Sequence, residues 1–144
     1  MAIKKKYTAV VTSVGGRGGG TAKSPDGAID FKIGAPKVLG GNDDGINPDQ
    51  LFAAGYSTCY LGAVKFVAGK HTPPVKIAPE SSVTAHITLS ARDDGNGFAI
   101  EAALDVSLPG VDKAVAEDLA AKAHVVCPYS WSIRGNVDVK TKIV

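Results

Sequence analysis

Between Leu51 and Ala68 the chain runs eighteen residues with a single charge, Lys65. The surrounding stretch, NPDQLFAAGYSTCYLGAVKFVAG (47–69), is apolar at every helical angle. A helix of that kind must be covered on every face. Its start is marked by Asn47 as an N-cap, Pro48 at the first helical position and Asp49 in the first turn, where the helix dipole favours an anion. Gly69 suits the C-terminal cap, with Lys70 and His71 beside it, and Pro73 and Pro74 prevent resumption. The stretch therefore reads as the central rod of the fold, with Cys59 in its middle. Its length approaches that of a membrane span. However, it contains Ser57, Thr58, Gly55, Gly62 and Lys65 and is alone of its kind, so a core helix is expected.

The remaining elements arrange themselves around that rod. A chain of 144 residues is expected to form one domain, 1–144, with a real core. A net charge of +2 gives no footprint for nucleic acid or an anionic membrane. Residues 3–14 are β-branched and partly alternating, which suggests a strand. Gly15–Gly20 (GGRGGG) is a turn or flexible loop whose only side chain is Arg17. It is not a phosphate loop, because no Gly-Lys-Ser/Thr follows. Residues 28–33 alternate, with Ile29, Phe31 and Ile33 inward, and 34–46 form a loop. Two strand patterns, 81–92 and 98–108, are joined by DDGNG, a hairpin signal. Residues 111–126 repeat Val111, Val115, Leu119 and Ala123 at helical spacing, and Pro128 leaves Cys127 at the helix edge. Residues 136–144 close the chain as a strand. This order predicts an α+β fold with helices packed on antiparallel sheet. One chain has little material to wrap the rod completely, so a closely packed homodimer is expected. The N-terminus lacks a signal-peptide core, which makes the cytoplasm the expected location.

Chemistry centres on the two cysteines, Cys59 and Cys127. There is no CxxC, and the three histidines are scattered, so no zinc pattern is present. A buried cysteine often serves only to pack. A reactive thiol needs a nearby cation or a helix N-terminus. Cys59 is mid-helix, so a cation must be brought to it. Lys65 lies about 9 Å further along the axis on the opposite face. Arg17, on its glycine-rich loop, is the better candidate, and Asp49 is the carboxylate that could orient it. Asp49 and Cys59 are about 15 Å apart along a straight helix. Sharing one site would require a break near Gly55 or a second chain. Cys127 reads either as a packed residue or as a resolving thiol. His124 raises a Cys–His hydrolase as an alternative, but no protease signature surrounds either cysteine. His71 and His86 read as a helix-end cation and a strand residue.

The segments NPDQLFAAGYSTCYLGAVKF (47–66), AHVVCPYS (123–130) and RGNVDV (134–139) resemble the organic hydroperoxide resistance proteins of the OsmC/Ohr family. The resemblance spans essentially the whole chain, including the early Arg in its Gly-rich loop. It implies a thiol-dependent peroxidase. Cys59 would attack the peroxide, and Cys127 would resolve the sulfenic acid as an intramolecular disulfide. Arg17 would stabilise the thiolate, and Asp49 would orient Arg17, where the family usually has Glu. Trp131 departs from the smaller or polar residue expected after CPYS. The implied fold is an intertwined α+β homodimer with antiparallel sheets around central helices and with its sites at the subunit interface. The implied substrates are organic hydroperoxides, including those of fatty acids. The implied reductant is dihydrolipoamide on a lipoylated protein, and no bound cofactor is implied. Leu51, Phe52, Tyr56, Tyr60 and Leu61 are expected to line an apolar pocket for alkyl groups. The alternatives are an OsmC-type osmotically induced peroxidase and a non-enzymatic redox sensor.

Overall fold

The glycine run closes a tight hairpin. In the computed structural model, which describes residues 1–144, this hairpin belongs to the first of two compact units, Met1–Pro48 and Asp49–Val144. The first unit holds β1 (Thr12–Val14), β2 (Gly19–Lys23) and β3 (Asp30–Gly34) in an antiparallel sheet of order β1-β2-β3. A Cβ on Gly15 would lie 2.2 Å from the Gly19 carbonyl oxygen, and one on Gly20 would lie 1.9 Å from that of Val14. Both glycines also have positive φ, 92° and 131°, which a side chain would strain. Their conformational freedom is used to close the turn, so the stretch is not a slack loop.

The strand expected over 3–14 is present only from Thr12 onward, and residues 1–11 lie exposed without regular structure. The reason is the length of the neighbouring strand. β1 is an edge strand, and β2 ends at Lys23, opposite Thr12. Upstream residues therefore find no strand partner within the chain. The alternation in β3 is as expected: Phe31 and Ile33 face inward, between exposed Asp30 and Lys32.

The second unit begins with α1, Pro48–Lys70. It continues with β4 (Ser82–Ala91) and β5 (Phe98–Ser107), then α2 (Lys113–Val126), α3 (Pro128–Ile133) and β6 (Val139–Ile143). β4 and β5 form the expected hairpin, with inward pairs Val83↔Val106, Ala85↔Leu104 and Ile87↔Ala102. β6 departs from the antiparallel expectation, because it pairs with β5 in parallel. The connection from β5 to β6 contains two helices, and such a crossover brings a chain back in the same direction.

Helix α2 starts at Asp112, whose carboxylate accepts the Ala114 N–H at 3.1 Å, a regular N-cap. It buries Ala116, Leu119, Ala120 and Ala123. These side chains join Leu104, Val106 and Leu108 of the sheet side and one stripe of α1 in a single core. The α1 stripe is Tyr56, Tyr60, Ala63, Val64, Val67 and Ala68, a spacing of three and four residues that marks one helix face.

Here the structure departs from the expectation drawn from the rod. α1 is apolar all round, yet only this stripe is buried within the chain. Phe66 remains 57% exposed, and Ala54, Thr58 and Gly62 also lie open. One three-stranded sheet and α2 cover one side of a helix and no more. α1 is long and apolar enough to cross a membrane by length and composition alone, but its buried stripe belongs to the core just described.

Candidate active site

Cys59 sits on α1, half-buried, beside the fully buried Tyr56 and Tyr60 stripe. Cys127 sits at the joint between α2 and α3, where it is at once the last cap of one helix and the first of the next. Its N–H still donates to Ala123 in α2, and its carbonyl accepts from Trp131 in α3. Pro128 forces this arrangement. It cannot continue α2, and it suits the first position of a new helix. The backbone therefore turns at Cys127, which is completely buried, and its Sγ lies 3.5 Å from Sγ of Cys59. Both thiols are free. A disulfide bond is about 2.05 Å long, so the two sulfurs stand in contact and unbonded.

The Tyr129 backbone N–H, in the first turn of α3, donates to the Cys59 sulfur. Three influences act on that thiol. Partial burial pushes its pKa up, the Tyr129 N–H lowers it by less, and the Cys127 thiol adds to the rise. Burial disfavours a thiolate, and a single N–H does not offset it. Cys59 therefore needs a cation to ionise readily.

Aromatic rings of α1 and α3 pack against one another next to the two cysteines in the chain. Tyr129 stacks on Tyr56 at 5.8 Å and meets Phe52 edge-on at 5.9 Å. Gly55 makes room for this ring, since a Cβ there would lie 2.5 Å from the Tyr129 hydroxyl. Tyr56 and Tyr60, expected to line an open pocket, are instead sealed in the core. Tyr60 donates to the Ala120 carbonyl at 2.6 Å, and Tyr56 shares a 2.8 Å hydrogen bond with Ser130. Burial pushes both phenols up in pKa.

Of the candidate residues, the structure brings Cys59 and Cys127 together. Arg17 lies at the exposed tip of the β1–β2 turn in the N-terminal unit. Asp49 lies in the first turn of α1, which runs unbroken through Gly55. A kink that would carry Asp49 back to Cys59 of the same helix is therefore absent. His124 does not face the thiols as a hydrolase base. Its two ring nitrogens bond Ser130 at 2.9 Å and Thr141 at 2.7 Å. Tyr129 and Ser130 escaped the reading of the sequence as site residues. The signal that could have found them is Cys-Pro itself, which starts a new helix and turns its first N–H groups toward whatever lies opposite.

The fold and the site define a class: an α+β protein with a buried thiol set within bonding reach of a second, half-buried one on a long core helix. Comparison with known proteins gives this class a family. The OsmC-like protein family model matches residues 41–142. The chain is 45% identical over 94% of its length to an organic hydroperoxide resistance protein of Xanthomonas axonopodis pv. citri, covering 93% of that protein. The crystal structure of the organic hydroperoxide resistance protein OhrB of Bacillus subtilis aligns with a TM-score of 0.85 at 39% identity, covering 96% of this chain and 98% of that one. A Legionella pneumophila structure described as an organic hydroperoxide resistance protein aligns with a TM-score of 0.88 at 39% identity, covering 97% and 98%. The chain belongs to the OsmC/Ohr family, among its organic hydroperoxide resistance proteins.

Proposed function

We propose that this protein is a thiol peroxidase that reduces organic hydroperoxides to alcohols. The observation that supports the reading most directly is the 3.5 Å approach of Cys59 and Cys127. The thiolate of Cys59 attacks the outer peroxide oxygen of ROOH. The O–O bond breaks, RO⁻ leaves and takes up a proton, and Cys59 becomes a sulfenic acid. Cys127 then supplies an electron pair to the Cys59 sulfur. The S–O bond breaks, water leaves, and a disulfide joins the two. Dihydrolipoamide, presented by a lipoylated protein, returns the pair to thiols by two thiol–disulfide exchanges.

Arg17 supplies the cation that Cys59 lacks, and Asp49 orients its guanidinium. Because α1 is unbroken from Pro48 to Lys70, an Asp49 acting at Cys59 comes from a second copy of the chain. That assignment agrees with the open face of α1 and the unpaired residues 1–11, both of which a homodimer would cover. Alkyl groups of the substrate lie against Phe52, Leu51, Leu61 and the ring of Tyr129. The location consistent with a lipoylated donor is the cytoplasm.

The test is a titration of reduced protein with an alkyl hydroperoxide. One peroxide consumed per Cys59–Cys127 disulfide, with turnover sustained only when dihydrolipoamide is added, is the expected result. Thiols that survive excess peroxide in the folded protein would reject the reading.

A further inference from the structure

The corner at Cys127 interrupts the helical ladder. Pro128 has no N–H to offer α2, and α3 has six residues, too few to be stable as a helix by itself. The position of α3 is therefore decided by what its side chains grip. The only residue it buries is Ser130, 5% exposed. Ser130 Oγ stands 2.8 Å from Tyr56 Oη of α1 and 2.9 Å from His124 Nδ1 of α2.

The places of these two partners in the chain carry the argument. Tyr56 lies three residues before Cys59, and His124 lies three residues before Cys127. Each is thus a neighbour of its cysteine on one helix face, a turn away. Ser130 is three residues past Cys127. One hydroxyl therefore joins the part of α1 that carries Cys59 to the end of α2 that carries Cys127. It serves both partners, because it has one proton and two lone pairs. With the His124 proton on Nε2, Ser130 donates to Nδ1 and accepts from Tyr56. With that proton on Nδ1, Ser130 accepts from His124 and donates to Tyr56. Either tautomer keeps both bonds. The residues beside this fastening make the contacts of the site: Cys127 Sγ donates to Cys59 Sγ at 3.5 Å, and the Tyr129 N–H donates to the same Cys59 sulfur.

We propose that Ser130 is a positioning residue for resolution, its hydroxyl clipping together the two cysteine-bearing turns so that the Cys127 sulfur stays within attacking distance of Cys59. The inference rests on the peroxidase reading above. In the step it serves, Cys127 gives a sulfur electron pair to the Cys59 sulfenic acid, the S–O bond breaks, and the Cys127 proton ends on the departing oxygen. Thiol and sulfenic acid become disulfide and water. Reacting atoms are productively placed at about 3–3.5 Å, and a misplacement of about 1 Å can cost about a hundredfold in rate. The clip touches no reacting atom. Its loss should spare the attack of Cys59 on an outside reagent and slow the step between the two sulfurs. A hydroxyl that only stabilised the fold would lower the melting temperature and leave that step alone.

The two steps can be read apart without peroxide. Dithiodipyridine is a disulfide that releases a light-absorbing thiopyridone each time a thiol displaces one. Cys59 attacks first, releasing one thiopyridone and keeping the other half as a mixed disulfide. Cys127 then attacks the Cys59 sulfur, releases the second and closes the disulfide. Reduced wild type, Ser130→Ala, Tyr56→Phe and the double variant are each mixed with one equivalent. The first phase should be similar in all four. The second should slow at least about tenfold in Ser130→Ala, and less in Tyr56→Phe, which keeps the ring and loses only the hydroxyl. The double variant should be no slower than Ser130→Ala, because both changes break one bond. Should Ser130→Ala fail to fold, Tyr56→Phe decides alone. A second phase at the wild-type rate in the folded variants would overturn the clip. So would equal slowing of both phases, which marks general loosening, or effects that multiply in the double variant, which mark independent roles. The same proteins are then given tert-butyl hydroperoxide and a sulfenic acid trap, and the sulfenic acid should live longer in the same order. Absence of sulfenic acid in the wild type would reject the peroxidase reading, while the dithiodipyridine phases would still decide whether the hydroxyl holds the sulfurs together.

Discussion

Cys59 and Cys127 have different surroundings, and the roles proposed for them follow that difference. Cys59 is half-buried, whereas Cys127 is sealed with its sulfur 3.5 Å from that of Cys59. Cys59→Ser should therefore abolish peroxide consumption. Cys127→Ser should still consume one equivalent and then stall as a sulfenic acid, as read by mass and thiol counting. Gly55 offers a finer probe. Alanine there gains up to about 1 kcal/mol of helix propensity, but its methyl meets the Tyr129 hydroxyl at 2.5 Å. Tyr129 is 37% exposed at the end of a flexible side chain, so it can swing aside at small cost. Gly55→Ala is expected to leave the melting temperature nearly unchanged while altering the rate of Cys59 oxidation, because it displaces Tyr129, whose backbone N–H bonds the Cys59 sulfur. A large loss of stability would show that the ring cannot move.

Among the elements, the β4–β5 hairpin and α2 were legible because their patterns are local. An alternation of period two, a DDGNG turn and a 3.6-residue apolar stripe needed no long-range information. β6 was legible as a strand but not in its direction, since nothing in NVDVKTKIV says which neighbour it will meet. α3 was missed because a six-residue helix has no periodicity to detect. The sheet's contribution is testable at Leu104, which is fully buried in the core that also holds residues of α1 and α2. Leu104→Ala should cost about 2–5 kcal/mol of unfolding free energy in denaturant titration. Helix α2 carries a pH signature through His124. Its folded pKa is depressed, so the unfolded chain binds the extra proton. Stability should therefore be fully present above the ordinary histidine pKa of 6.5 and fall as pH drops through and below it. His124→Asn should flatten that part of the melting-temperature profile.

At the scale of the whole molecule, the open side of α1 is the largest unmet demand. The proposed second copy would cover exposed Phe66 and residues 1–11 and bring an Asp49 to Cys59. Light scattering on the purified protein should report about twice 14.7 kDa. Phe66→Glu should shift that mass toward one chain and lower peroxidase turnover together, since one interface would serve both. The sequence by itself determined that a nearly uncharged helix runs through the fold, where it begins and ends, which segments can be strands, and that two thiols are the only nucleophiles of note. These follow from nearest-neighbour physics, in capping, periodicity and turn chemistry. Only the tertiary structure decided that one face of the helix is covered and the rest left open. It also decided that β6 lies parallel to β5, and that a proline-forced corner puts Cys127 within 3.5 Å of a sulfur 68 residues earlier. Distance in space between residues far apart in the chain is set by how sheet and helix layers pack, and no local pattern encodes it.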